Sequence, residues 1–345
     1  MVARNILDIV ESAYDTSLDG HEWLSSAVER FSERFPNVVG WGGHVISKSP
    51  SGPPQFHHAV LSGVDDAMTV FGPMHASMQP DVAEAVFPNG MRCALFSEHW
   101  TQLTRTHQFD ATTHEMMKGL IDYLHSVGGN DLLFCTGYDH TGSGVLLGAI
   151  VKGATLPESV RELHRLATVH VAAAWRMRRA LVPDPLADAR AEAIFEADGH
   201  LAHADGPAKT ESMRALLREA VKRVDRARTA GVRTNDVEAL ALWQGLVDGR
   251  WSLIDRHDSD GRRYYVAIAN PVDGIAARQL TQVEAQVVAQ VVAGDPNKLI
   301  AYSLGVAEST VAGHLTNAMR KLGATSRMDV VRLGRALGAT GATSQ

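Results

Sequence analysis

Residues 280–333 read LTQVEAQVVAQVVAGDPNKLIAYSLGVAESTVAGHLTNAMRKLGATSRMDVVRL, and their spacing predicts four short helices in a fixed order. Thr281 and Glu284 stand three apart before an apolar-periodic run, the pattern of a capping box in which each side chain bonds the other residue's backbone N–H. Val287, Val288 and Val291 follow on one face. Asp295 before Pro296 predicts an N-cap with proline at the first helical position, opening a second helix that ends near Leu304, with Gly305 as the turn. A third helix over residues 308–322 buries Val311, Leu315, Met319 and Leu322 and turns Ser309, Gly313, Thr316 and Arg320 the other way. Gly323 stops it, and Ser326 with Asp329 caps a last helix. Two helices joined by a short glycine-containing turn inside a four-helix unit make a helix-turn-helix.

At these residues the chain closely resembles the LuxR/GerE-type helix-turn-helix family. The shared positions are Leu280, Thr281, Glu284, Gly294, Asn297, Lys298, Ile300, Ala301, Leu304, Gly305, Val306, Thr310, Val311, His314, Leu315, Lys321, Leu322, Gly323, Ser326 and Arg327. The resemblance implies a transcription factor that binds double-stranded DNA with its third helix in the major groove, usually as a dimer. Carried over residue by residue, the DNA-facing set is Lys298, Ser309, Thr310, Ala312, Gly313, Thr316, Asn317, Arg320 and Lys321. Ala307 replaces the family's usual serine cap, Ser309 and Ala312 stand where it often has basic residues, and Gly313 lies inside the helix. The groove-facing surface is therefore small and nearly neutral. Arg320 and Lys321 fall at the far end, where the family meets phosphate; Thr316 and Gly313 fall nearer the base edges.

Charge along the chain agrees with a polyanion meeting only this end. Residues 1–185, 186–277 and 278–345 carry nets of -7, -2 and +3, within a total of -6. A length of 345 residues predicts two or three domains, and 45% hydrophobic with 21% charged residues describes a core-forming chain. Asp8 and Glu11 interrupt any apolar leader, and no run approaches the ~20 residues that span a bilayer, so a cytoplasmic protein with no membrane partner is expected. In a reducing compartment, Cys93 and Cys135 are expected not to form a structural disulfide.

Outward from the helix-turn-helix, LVPDPLADAR near residues 181–190 reads as a linker, and Asn270-Pro271 to Gly274 as a second break. The fold class expected is α+β multidomain: α+β sensor domains of GAF and PAS character, then an all-α four-helix domain. Residues 1–185 are the GAF-like domain, ending in a signalling or dimerisation helix; 186–272 are PAS-like; 278–337 are the helix-turn-helix domain. In the first block, Leu24, Ala27, Val28 and Phe31 mark a helix, VVGWGGHVIS a strand, a Pro- and His-rich stretch irregular chain, and residues 112–127 a helix. DLLFCTGYD and GVLLGAIVKG read as strands, and residues 157–181 as an amphipathic helix whose pairing with a second subunit would make a homodimer. The second block reads as two strands around an Asp-Gly turn, a helix through Met213 to Val224, and a hairpin turning at Asp260-Gly261, which together resemble a PAS domain. No internal repeat is visible. A Gly/Ala/Thr tail follows Leu337, and it reads as disordered.

Catalytic constellations are absent from the sequence: there is no GxxxxGK[ST] loop, and GSGVLLG lies between strands with the wrong spacing for a dinucleotide turn. An enzyme is not expected. Twelve of the 16 histidines lie in residues 1–170, and His57-His58 with Cys135 could be imagined on metal or haem, yet none has ligand spacing, so no metal or cofactor is expected. Trp41, His44, Trp100, Phe134 and Tyr138 are the candidates to line a cavity for a small-molecule effector, a partner protein being the other possible occupant of the sensor domains. The Trp, Tyr, Asp-Pro and Trp set of acyl-homoserine-lactone sensors is missing. The expectation is a DNA-binding transcriptional regulator; the competing reading is a non-enzymatic dimerising scaffold that uses the helix-turn-helix to bind protein.

Overall fold

Alternation of small and β-branched residues makes VVGWGGHVISKS a long strand, β1 (Val38–Ser49), and four more strands pair with it in one antiparallel sheet. They are β2 (Gly52–Ser62), β3 (Met91–Leu95), β4 (Asp131–Tyr138) and β5 (Ser143–Val151), in the order β2-β1-β5-β4-β3. The structure is a computed structural model, and it describes residues 5–35, 38–49, 52–64, 66–79, 82–83, 86–87, 91–138, 143–153, 156–181, 191–247, 251–258, 260–269, 280–322, 324 and 326–331. The chain divides into two compact units, Met1–Ala172 and Ala173–Gln345.

The Pro- and His-rich stretch expected to be irregular is strand β2. It is an edge strand, where a proline's missing N–H leaves one side of the ladder intact, and Pro53 and Pro54 sit where the register shifts between the pairs Ser47–Gln55 and Ser49–Gly52. Helices cover both faces. On one lie α1 (Ile6–Ala13), α2 (Gly20–Arg34) and the first part of α6 (Glu158–Leu181), packed on Trp41, Val45 and Leu147. On the other lie α3 (Ala67–Ser77), α4 (Phe96–Thr106) and α5 (Ala111–Ser126), over Ile46, Phe134 and Ile150. Two ties hold this second layer. The Tyr123 hydroxyl donates to Asp66 at the start of α3 at 2.9 Å, and buried Asp131 on β4 accepts from the backbone N–H and the hydroxyl of Ser97 in the first turn of α4. Strand β3 and helix α4 have no counterpart in the sequence reading.

One expectation is overturned here. Cys93 and Cys135 are directly opposed across β3 and β4, and the structure joins them in a disulfide. Strand register, which the sequence does not display, brings together two residues 42 apart in the chain.

The second unit contains another five-stranded antiparallel sheet: β6 (Ala191–Glu196), β7 (Leu201–Ala204), β8 (Leu246–Val247), β9 (Trp251–His257) and β10 (Arg263–Ala269), ordered β7-β6-β10-β9-β8. Numbered within its own sheet, that order is the same second-first-fifth-fourth-third as before, a structural repetition with no visible repeat in the sequence. Between β7 and β8 run α7 (Glu211–Ala227), α8 (Ala230–Arg233) and α9 (Asp236–Leu242). The unit ends in α10 (Gln282–Val292), α11 (Asn297–Leu304), α12 (Glu308–Leu322) and a helical segment at 327–331, around Val287, Val291, Ile300, Leu304 and Val311. The expected domain borders at 185/186 and 272/278, and the tail after Leu337, lie outside the described residues.

Candidate functional site

The first unit holds a cavity between the sheet and the layer of α3, α4 and α5. Strands β1, β4 and β5 alternate side chains, so Gly42, His44, Leu132, Phe134, Leu146 and Gly148 share the face that looks into it. Phe71, Met74 and His75 of α3, Phe96 of α4, and Met117 and Leu120 of α5 close the other side.

Among the described residues, two imidazole side chains face this apolar space. His44 is 4% exposed and His75 8% exposed, and the Nδ1 atom of each has no hydrogen-bond partner among the described residues. Leaving such an atom buried and unsatisfied costs about 1–3 kcal/mol. Burial holds the His44 pKa down to about 4; burial and, secondarily, the charge that His44 would carry hold that of His75 down to about 3. Both rings are therefore neutral at pH 7, each with one N–H donor and one acceptor nitrogen. Phe56 fixes them in place: its ring stacks on His75 at 4.2 Å and meets His44 edge-on at 5.3 Å.

Of the five residues expected at a ligand cavity, Trp41, His44 and Phe134 line it. The Trp41 indole itself belongs to the opposite face of the sheet, stacked on His164 at 5.4 Å and donating to the Phe35 carbonyl. Trp100 packs instead on Phe96 and Phe109, and Tyr138 belongs to the surrounding core rather than the lining. His75 escaped sequence reading. Its signal is a lone histidine in the otherwise apolar AMTVFGPMHAS, which helical spacing by itself places no better than its neighbours. His57 is engaged by the Ser47 hydroxyl at 2.7 Å, and Cys135 is bonded to Cys93, so the imagined trio with His58 is not assembled; among the described residues no three His, Cys, Asp or Glu converge as metal ligands.

In the second unit, Thr281 and Glu284 form the expected capping box on α10. Pro296, not Asp295, is the N-cap of α11: its ψ of 154° is extended, and its carbonyl accepts from Ile300. The helix thus starts one residue later than the Asp-Pro pattern suggested. Buried Asp295 instead offers its carbonyl to Arg327, whose other guanidinium nitrogen donates to Asn297 at 2.8 Å. Gly305 closes α11 at φ 68°, a left-handed conformation that favours glycine. A side chain there would also collide with the Leu246 carbonyl and Gln244. The Gln244 amide donates to the Gly305 carbonyl and the Tyr302 hydroxyl to that of Leu240, so the α9–β8 segment is docked on the turn.

Helix α12 then presents Ser309, Thr310, Ala312, Gly313, Thr316 and Asn317 to solvent, with Lys298 of α11 also exposed. Residues 278–333 match the family model of bacterial regulatory proteins, luxR family. Within this segment, the Lys321 ammonium is bound at 2.6 Å to nearly buried Glu284 of the capping box. Burial opposes ionisation of that glutamate, but hydrogen bonds from Lys321 and Thr281 outweigh it and hold the carboxyl below its usual range. The side chain of Arg320 lies outside the described residues.

No curated protein sequence matches the chain. Among solved structures, the chain is similar to Escherichia coli SdiA at 10% identity and a TM-score of 0.32, covering 94% of this chain and 93% of that one. A second structure, SdiA in complex with octanoyl-rac-glycerol, gives 10% identity and a TM-score of 0.33, covering 96% and 92%. Among the described residues, no helix is long and apolar enough to cross a membrane.

Proposed function

We propose that the protein is a cytoplasmic, non-enzymatic transcriptional regulator in which a GAF-like domain (residues 1–185) and a PAS-like domain (186–272) control a DNA-binding helix-turn-helix (278–337). The match over residues 278–333, with an exposed face on α12 above a fully formed helix-turn-helix core, carries this reading. The same antiparallel strand order in both sheets supports two related sensor domains. The cavity beside His44 and His75 supports a small molecule as the input. Docking of the α9–β8 segment on Gly305 gives the middle domain a direct hold on the turn ahead of the recognition helix. The protein acts as a homodimer joined along helix 157–181, since so neutral a recognition helix needs two half-sites to bind firmly.

Selection of duplexes from a random pool by the full-length protein tests the reading. Enrichment of a paired half-site, abolished by Thr316→Asp together with Asn317→Asp, is expected; no enrichment would overturn it and leave the helix-turn-helix as a protein-binding module. Arg320→Ala should weaken all duplexes alike and reduce the salt dependence by about one unit, as loss of one phosphate contact does.

A further inference from the structure

We propose that the cavity of the first unit binds an uncharged, largely hydrocarbon molecule through one hydrogen-bonding head group, a hydroxyl, carbonyl or amide, held between His44 and His75. This rests on the regulatory reading for the consequence of binding only.

Three observations converge on it. The first is the floor. Gly42 and Gly148 are direct partners across β1 and β5, and Phe134 is the partner of Gly148 on β4. Neither glycine has a positive φ, so the backbone does not demand glycine. A Cβ at Gly148 would meet nothing closer than 3.5 Å, and one at Gly42 would first meet the tip of Leu61 at 3.2 Å. Crowding does not require the pair either; its effect is to leave width at the centre of the sheet.

The second observation is the wall. Among the described residues, none that lines the cavity carries a carboxylate, ammonium or guanidinium. A charged ligand would lose its water and gain no counter-ion, which disfavours fatty-acid anions and amines alike. Met74, Met78 and Met117 give the wall side chains that adapt to an irregular chain.

The third observation is polar. The two unpartnered Nδ1 atoms belong to side chains more than nine-tenths buried, both facing the same apolar space. Burial keeps both rings neutral, so they offer hydrogen bonds without charge. Neutral imidazoles suit a neutral head group, donating or accepting according to tautomer.

The test uses the full-length chain at pH 7.5 with the neutral fluorophore N-phenyl-1-naphthylamine, displaced by 1-decanol or by decanoate. Saturable fluorescence is expected, with 1-decanol displacing at least tenfold better than decanoate. Gly148→Leu should fill the floor and abolish probe binding while leaving the circular dichroism unchanged. His44→Phe with His75→Phe keeps the ring shapes and removes the polar atoms; it should retain the probe within threefold and weaken 1-decanol at least tenfold, and it decides the matter if Gly148→Leu fails to fold. Equal displacement by decanoate, probe binding untouched in a folded Gly148→Leu, or no loss of 1-decanol affinity in the double variant would each overturn the proposal. Duplex selection on the same protein separates the two readings: probe binding without DNA enrichment breaks the regulatory reading and keeps the ligand class, whereas enrichment without probe binding does the reverse.

Discussion

The first and second sheets share a strand order, yet at the same strand pair they make opposite choices. Where β1 meets β5, Gly42 faces Gly148; where β6 meets β10, Phe195 faces Tyr265, and both of those aromatics are buried. At this strand pair the second sheet carries two large aromatic side chains and the first a pair of residues with none. The helical segments over each sheet differ in the same sense. In the first unit neutral His75 faces a cavity, whereas in the second Arg228 is sandwiched: it pairs with Asp255 at 2.5 Å, donates to the Tyr265 hydroxyl at 2.9 Å, and lies 4.5 Å from the centre of the Trp243 ring. Burial pushes the Tyr265 pKa up to about 12, so its phenol stays protonated beside that network. One topology thus serves as a container or as a platform, and residues at a few central positions decide which. Trp243 adjoins Gln244, so the platform leads straight to the helix-turn-helix turn.

Acid should separate the two units most. His44, His75 and His164 are buried with pKa values lowered to about 4, 3 and 4, while every histidine of the second unit is exposed or half-buried. A base whose pKa falls on folding takes up protons more readily when unfolded, so stability is present above the unfolded value of 6.5 and is lost as pH falls below it. Each histidine costs about 1.4 kcal/mol per pH unit in that window, or roughly 2 kcal/mol at pH 5. Hydrogen exchange on the full chain at pH 7 and pH 5 should show protection lost in residues 38–151 well ahead of residues 191–269; equal loss would break the contrast.

Arg228→Met should act on the second unit alone. Removing one partner of a largely buried pair leaves Asp255 only the longer contact to Arg263 at 3.8 Å, which at this partial exposure costs about 1–3 kcal/mol. Protection should fall in β9 and β10, with the first sheet unchanged. Glu284→Gln should cost about 1–2 kcal/mol by removing the charge-assisted bond to Lys321. Because the carboxyl is held below its usual range, that stabilisation is present at neutral pH and fades as acid protonates the wild-type residue. Wild type and variant should therefore converge in chemical denaturation as the pH is lowered from neutral into acid. Gly313→Ala is the smallest change and has the opposite sign. With nothing within 4 Å of a Cβ at that position, it should stabilise α12 by about 1 kcal/mol, read as a small upward shift in denaturation midpoint.

What was legible in the sequence follows the range of the interactions that build each feature. The helix-turn-helix announced itself because its signals are local: the Thr281–Glu284 capping box, a left-handed glycine at 305, and apolar residues every three or four positions in α12. Its one misplaced boundary, at Pro296, and the ion pair of Lys321 with Glu284 both involve partners about 30 or more residues away. Strand β2 was missed because proline is read as a breaker unless the edge position is known.

The sequence by itself determined the four-helix helix-turn-helix fold and the strand and helix runs at residues 131–181, since each depends on periodicity and caps within a few turns of chain. Only the tertiary structure decided that Gly42 meets Gly148, that His44 and His75 look into one space, and that Cys93 faces Cys135. Those relations are set by strand register and by which helix layer covers which face of a sheet. A pairing register couples residues a hundred positions apart, and no local pattern encodes the partner.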